Sequence, residues 1–374
     1  MRILVVNTPM GPLGSGAGGG VELTAFSLVA GLLQRGHQVM VLAAEGSRLP
    51  PSCGGAELWL ERGEAQPSCQ HQERHSPVLI PADGLLPRLW RRALSEQHRA
   101  DVILNLAYDW LPLWLTPHVT TPLAHLISMG SVGEAMDAVI AEVAGRQPGR
   151  LAFHTAAQAA DFSLPAAPRL VGNGFDLDQY GFNPEPERLL GWAGRIAPEK
   201  GLEDAAAVAA QLQIPLAVWG LPQDPAYARW VESSVPPGTL QWRGFLPTEQ
   251  LQRELGRCAV LLNTPKWNEA FGNVVVEAMA CGVPVAAYAR GGPGELVQEG
   301  LTGALAAADD RAALALATER ALGVERAACR RWAERHCSRA VFAERIEGWL
   351  EEVWREAGLQ GAGAAAAGGP GRRR

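Results

Sequence analysis

Two glutamates separated by seven residues, Glu269 and Glu277, frame the run "EAFGNVVVE". An apolar run ends near Thr264, a polar loop carries Glu269, and Phe271-Gly272-Asn273 opens a helix with Glu277 in its second turn. First-turn amides lack partners within their own helix and carry a partial positive charge, so Gly272, Asn273 and Val274 can receive a phosphate oxygen, with Phe271 at the entry. Glycine at 272 lets a ligand approach the backbone closely. The two carboxylates can then hydrogen-bond opposite ends of one ligand, a sugar hydroxyl and a ribose hydroxyl, with a diphosphate between them. Either glutamate alone would read as a solvated helix face. The neighbouring Cys281-Gly282-Val283-Pro284 and Gly291-Gly292-x-x-Glu295 argue for a built site.

Other residues invite chemistry less specifically. His125, in "PLAHLISMG" (122–130), stands near the carboxyl end of an expected strand, where ligands of open α/β sheets gather; a hydrogen-bonded core histidine is the alternative. His154 in "LAFHTAAQA" is a weaker case of the same kind, and His37, at a helix-to-strand turn away from those ends, reads as structural. Gly14, Gly16 and Gly19 spell G-x-G-x-x-G, and Glu45 ends the next apolar run. That is the dinucleotide-binding fingerprint, and an NAD-dependent oxidoreductase or a nucleotide-binding module is the reading from a different class. In the dinucleotide fold the first glycine follows the strand at once. Here "NTPMGPL" intervenes after Val6, and the glycines at the mouth of a helix starting near Val21 are Gly18, Gly19 and Gly20.

The elements that must position these groups alternate as in a parallel α/β protein. Apolar runs at 2–6, 38–44, 101–107, 122–128 and 151–155 form one series of expected strands, and those at 189–194, 216–220, 240–244, 259–264 and 284–289 a second. Each series begins afresh, which predicts two doubly wound domains, 1–172 and 173–338, joined near "GNGFDLDQYGFNPEPE" with a site in the cleft between them. A helix over 339–358 is expected to cross back to the first domain, with 359–374 a disordered low-complexity tail. Segment 45–80, rich in Pro and Gly, reads as an irregular insertion.

Composition sets the outer bounds. A chain of 374 residues, 47% hydrophobic and 19% charged, buries a sizeable core. A net charge of −6 gives no reason to expect a nucleic-acid partner. The three arginines at 372–374 are a local exception to which no function attaches. Cys53, Cys69, Cys258, Cys281, Cys329 and Cys337 show neither C-x-x-C pairing nor zinc spacing and read as reduced thiols. The apolar N-terminal run is too short for a secretory signal and no stretch is long enough to span a membrane, so a cytoplasmic protein is expected. The oligomeric state is left open.

The segment 264–297 resembles the E-x7-E signature of retaining GT-B glycosyltransferases of the family 4 type, and "GWAGRIAPEKGLEDA" (191–205) is similar to their G-R-x-x-x-x-K-G element. "GGGVELTAFSLVAGLLQRGHQVMVLA" (18–43) resembles their glycine loop, first helix and second strand. The resemblance implies a GT-B fold of two Rossmann-like domains facing across a cleft. It assigns Arg195 and Lys200 to the donor diphosphate, where a guanidinium fork and an ammonium would stabilise the leaving group. It places Gly18, Gly19 and Gly20 near the donor phosphates, Glu269 on the donor sugar, and His125 beside that sugar or the acceptor hydroxyl. Within the family, "ILNLAYDWLPLWLTP" (103–117), "PLAHLISMGS" and "YGFNPEPE" are similar to members that glucosylate tetrahydrobiopterin from UDP-glucose. Tyr108, Asp109 and Trp110 would then stack on and hydrogen-bond the pterin, although Trp110 and Trp114 can equally pack a helix on the sheet. Another sugar nucleotide, or a saccharide or lipid acceptor, is the nearest alternative. Asp176-Leu177-Asp178 is a poor metal pair, so no divalent metal and no cofactor are expected, Arg195 and Lys200 standing in for the ion.

Overall fold

The computed structural model describes residues 1–15, 19–67 and 72–367. Gly16, Gly18, Cys69 and the arginines at 372–374 lie outside the described residues. The chain divides into two compact units. The first comprises Met1–His154, Ala159–Val171 and the chain from Phe342 onward; the second comprises Thr155–Gln158 and Gly172–Val341.

In the first unit the order is β1 (Arg2–Val6), α1 (Gly20–Gln34), β2 (Gln38–Ala44), β3 (Glu57–Glu61), α2 (Leu85–Glu96), β4 (Val102–Asn105), α3 (Trp110–Leu115), β5 (Leu123–Ile127), α4 (Glu134–Arg146) and β6 (Leu151–Phe153). A one-turn helix, α5 (Ala156–Ala159), precedes β7 (Arg169–Leu170). The sheet is wholly parallel, in the order β3-β2-β1-β4-β5-β6-β7. β1 is buried on both faces, as a parallel central strand must be. Ile3 and Val5 pack with Leu28 of α1 and with Phe342, Ile346, Trp349 and Leu350 near the far end of the chain. Leu4 and Val6 pack with Leu86, Leu89 and Trp90 of α2 on the other face.

The second unit runs β8 (Leu190–Ala193), α6 (Leu202–Leu212), β9 (Leu216–Trp219), α7 (Pro225–Ser233), β10 (Leu240–Gly244), α8 (Thr248–Arg257), β11 (Val260–Asn263), α9 (Asn273–Ala280), β12 (Val285–Tyr288), α10 (Gly291–Leu296), β13 (Gly303–Ala306), α11 (Arg311–Ala321) and α12 (Arg326–Cys337). Its sheet, again parallel, is ordered β10-β9-β8-β11-β12-β13. α6 and α11 cover one face and α9 and α12 the other. In both sheets the strand order reverses beside the first strand, between β1 and β4 and between β8 and β11. Loops leaving the carboxyl ends of such a pair diverge to opposite faces, and the crevice they leave is where ligands of open α/β sheets bind.

The ten expected strands all form. The structure adds β3 inside the segment read as an irregular insertion, together with β7 and β13. The last helix, α13 (Arg339–Ala367), starts where expected and continues nine residues into the alanine-rich segment, as alanine's propensity allows for a helix already nucleated upstream. No helix among the described residues is long and apolar enough to cross a membrane.

Candidate active site

The crevice of the second sheet is built by two loops pinned side by side. After β8 the chain passes Arg195, makes a tight turn over Pro198–Lys200, and enters α6 through Gly201 at φ +64°. A Cβ on Gly201 would stand 2.1 Å from the Thr264 carbonyl oxygen, so this position needs glycine for space as well as for conformation. After β11, the Thr264 hydroxyl donates to the Gly201 carbonyl at 2.8 Å, and Trp192 Nε1 donates to that hydroxyl at 3.2 Å. The Lys266 amide donates to the Glu199 carbonyl at 2.8 Å.

These contacts bring Lys200 and Glu269 together. The Lys200 ammonium is ion-paired with Glu269 Oε1 and lies 5.1 Å from the centre of the Trp267 ring, whose Nε1 points to the same carboxylate oxygen at 3.4 Å. Glu269 is only 8% exposed. Its backbone is gripped from behind: the Gly292 amide donates to the Glu269 carbonyl at 2.7 Å, and a Cβ on Gly292 would stand 2.2 Å from the Phe271 carbonyl oxygen. The Gly291-Gly292 pair seen in the sequence is thus the surface on which the Glu269 loop rests. Arg195, on the same crevice, donates to Gln223 Oε1 at 2.8 Å and pairs with Glu199 at 3.1 Å.

α9 begins beside this pair. Gly272 caps it at φ +95°, a conformation that costs glycine little, and contributes no capping side chain. Phe271 is buried, its ring stacked on Phe175 at 6.4 Å, while Asn173 Nδ2 donates to Asn273 Oδ1 at 2.9 Å. Val274 is half-buried against the unit's core. Glu277 accepts from the Tyr180 hydroxyl at 3.2 Å, and burial pushes its carboxyl up to about 7. A deeply placed carboxyl one turn inside a helix and a carboxylate paired with lysine before it can grip two ends of one ligand. The amides of the helix start lie between them.

In the first unit the picture differs. His125 is fully buried on β5. The Thr116 hydroxyl spends its proton on the Leu113 carbonyl at 2.6 Å, so it accepts from His125 Nε2 at 2.8 Å, and Nδ1 accepts from Asn105 Nδ2 at 3.2 Å. Burial, with the charge of Arg150 adding to it, holds the imidazole down to about 3 and therefore neutral. Both ring nitrogens are committed to β4 and to the turn after α3. With both nitrogens satisfied inside the unit, the ring has the surroundings expected of the alternative reading, a hydrogen-bonded core histidine. His37 is held between the Met1 amine and Glu347 within the same unit.

Tyr108, Asp109 and Trp110 leave the carboxyl end of β4. The Tyr108 hydroxyl donates to the Gly130 carbonyl at 2.9 Å, burial raises the Asp109 carboxyl above the usual carboxylate range, and Trp110 stacks on Trp114 at 5.7 Å. Gly20 opens α1 and Gly19 precedes it at φ +53°. Gly14 is not a phosphate turn: its amide donates to Glu22 Oε2 at 2.9 Å, and a Cβ there would stand 2.7 Å from the Arg48 carbonyl oxygen.

Trp267, Thr264 and Glu295 escaped the reading of roles from the sequence. Trp267 sits two residues from Glu269, a signal that was available. Glu295 was noticed only as part of a motif; its carboxylate accepts from the Ala156 amide at 3.1 Å and from that of Ala157, while the Thr155 hydroxyl donates to the Ala270 carbonyl at 2.8 Å.

Residues 176–337 match the family described as Glycosyl transferases group 1. D-inositol 3-phosphate glycosyltransferase of Nocardia farcinica is 28% identical over 402 aligned positions, covering 94% of this chain and 88% of that protein. Among solved structures, Anabaena HepE in complex with UDP superposes with a TM-score of 0.72 at 18% identity, over 94% of this chain and all of that one. Its complex with UDP-glucose gives 0.68 at 19%. AviGT4, a glycosyltransferase involved in avilamycin A biosynthesis, gives 0.68 at 21%, covering 94% and 98% of the two chains. The likeness to these structures establishes a GT-B fold.

Proposed function

We propose that this chain, whose residues 176–337 match the family described as Glycosyl transferases group 1, moves glucose from UDP-glucose to a side-chain hydroxyl of tetrahydrobiopterin with retention at the anomeric carbon. The observation that carries the donor half is the meeting of Lys200 with Glu269 beside the start of α9. In this reading Glu277 takes the ribose hydroxyls, the Gly272–Val274 amides with Arg195 and Lys200 take the diphosphate, Phe271 backs that turn, and Glu269 holds the sugar. The leaving diphosphate accepts the acceptor's proton on the face from which it departs, so the protein supplies position and charge. Arg195 and Lys200 do the work of a metal ion, and turnover is expected to survive EDTA.

The choice of UDP-glucose is supported by the structural neighbour that was solved with it. The pterin reading rests on the loop after β4, with the half-buried Asp109 and Trp110 at the switch point of the first sheet. A second acceptor, an inositol phosphate, is favoured by the relative that aligns over 94% of the chain. Incubation with a panel of UDP- and GDP-sugars, each offered tetrahydrobiopterin or inositol 3-phosphate, separates the two by product mass, and the anomeric coupling in the product's proton spectrum reads retention. Lys200→Ala and Glu269→Ala should each lower turnover by roughly 10²–10³; near-normal rates in both would overturn the site. Binding of NADH in preference to UDP would overturn the enzyme class.

A further inference from the structure

Behind the Glu269 loop lies a cluster of charges to which neither the family match nor the reading above gives a role. Asp204, on α6, is 1% exposed. Its carboxylate accepts from the Lys266 ammonium, from Arg311 Nε and, at 2.7 Å, from the Tyr288 hydroxyl. Lys266 also donates to Asp309 Oδ1 at 3.1 Å, stands 3.8 Å from Glu203, and lies 5.5 Å from the centre of the Tyr288 ring. Asp309 is one of two non-glycine residues with positive φ among the described residues, at +65°. From that conformation its two oxygens meet both Lys266 and the guanidinium of Arg290, which also donates to the Pro265 carbonyl at 2.9 Å.

The arrangement has a direction. Residues 264–269 are held at their start by Arg290 on Pro265 and by two aspartates on Lys266, and at their end by the Gly292 amide on the Glu269 carbonyl. Arg290 and Gly292 belong to one turn, the entry to α10. A partly buried ammonium facing Asp204, Asp309 and Glu203 cannot move without leaving the buried Asp204 carboxylate with Arg311 as its remaining cation. We propose that Lys266 is a positioning residue for group transfer: clamped by Asp204 and Asp309, it fixes the loop that presents the Glu269 carboxylate to the donor. This rests on the reading in which Glu269 holds the donor sugar.

The test compares kcat and KM for UDP-glucose, UDP affinity by calorimetry, and melting temperature in the wild type, Lys266→Met, Asp309→Asn, and Lys266→Met combined with Asp204→Asn. Lys266→Met keeps the stem and removes the charge. It is expected to lower kcat about tenfold or more, since small misplacements of a gripping group are costly, while UDP affinity stays within about threefold because UDP lacks the sugar. The double variant removes the buried carboxylate together with the ammonium and leaves Arg311, 55% exposed at its side chain, to water, so its melting temperature should recover while kcat stays low. If kcat recovers with the melting temperature, or the single variant turns over at the wild-type rate, Lys266 is only a structural cation and the proposal fails. Should Lys266→Met not fold, Asp309→Asn, half-exposed at its side chain, carries the same comparison with a smaller fall. A wild type that turns over no UDP-sugar overturns the donor reading, and this proposal with it.

Discussion

At the scale of single residues, Glu277 carries the clearest pH signature. Its carboxyl is raised to about 7 by burial, above the value of about 4.3 for an exposed glutamate. A raised acid stabilises the fold while protonated. That contribution is complete below the unfolded value, drains as pH climbs from there to about 7, and then levels off. Glu277→Gln keeps an acceptor for Tyr180 and carries no charge. It should melt at nearly the wild-type temperature at pH 4.5 and progressively above it by pH 8, a gap on the order of 1–3 kcal/mol by denaturant titration; a gap independent of pH would contradict the burial argument. The variant should also bind UDP more weakly, so that the same carboxylate costs stability in the empty protein and serves the ligand. The glutamates were legible in the sequence because type and spacing coincide within one loop and helix. The partners of the His125 ring were not, because Asn105 and Thr116 reach it from twenty and nine residues away. Asp204 was invisible for the same reason, its partners being Lys266, Tyr288 and Arg311.

Among the elements, the turn into α10 has the tightest tolerance. At Gly292 a methyl group would overlap the Phe271 carbonyl, and at Gly291 it would come within 2.6 Å of the Glu269 amide nitrogen and carbonyl oxygen. Gly292→Ala is therefore expected to displace the 269–271 turn and lower kcat about tenfold or more, with a stability loss of about 1–3 kcal/mol. Unchanged turnover would show that the turn has room the geometry denies it. The strands of both sheets were legible because parallel strands buried on two faces are continuous apolar runs, as in "RILVV" and "QVMVLAA". β3 was missed because "ELWLE" alternates, with charged ends, inside a stretch rich in Pro and Gly, and β13 because "GALA" is short and small. The added turns of α13 went unread because lack of large apolar groups was weighed above the helix propensity of alanine.

At the scale of the molecule, membership in a unit does not follow the order of the chain. Phe342, Ile346, Trp349, Leu350 and Val353 complete the core of the first unit, Trp349 Nε1 donates to the Gly149 carbonyl at 2.7 Å, and Arg169 on β7 pairs with Glu352. Trp349→Ala should destabilise that unit by about 3–5 kcal/mol. Amide hydrogen exchange would localise the effect: protection should fall in β1, β4 and β5 and persist in β8 and β11, and an equal fall in both would show that the units unfold as one. Residues that share a face of one sheet are thus made far apart in time. The strands of the first sheet leave the ribosome before Phe342–Val353, which follow only after the second unit has been built, roughly 10–30 s later at ordinary elongation rates. For that interval the face is covered by α1 alone, and the apolar surface awaiting Phe342, Ile346, Trp349, Leu350 and Val353 is of the kind that makes a nascent chain prone to aggregate.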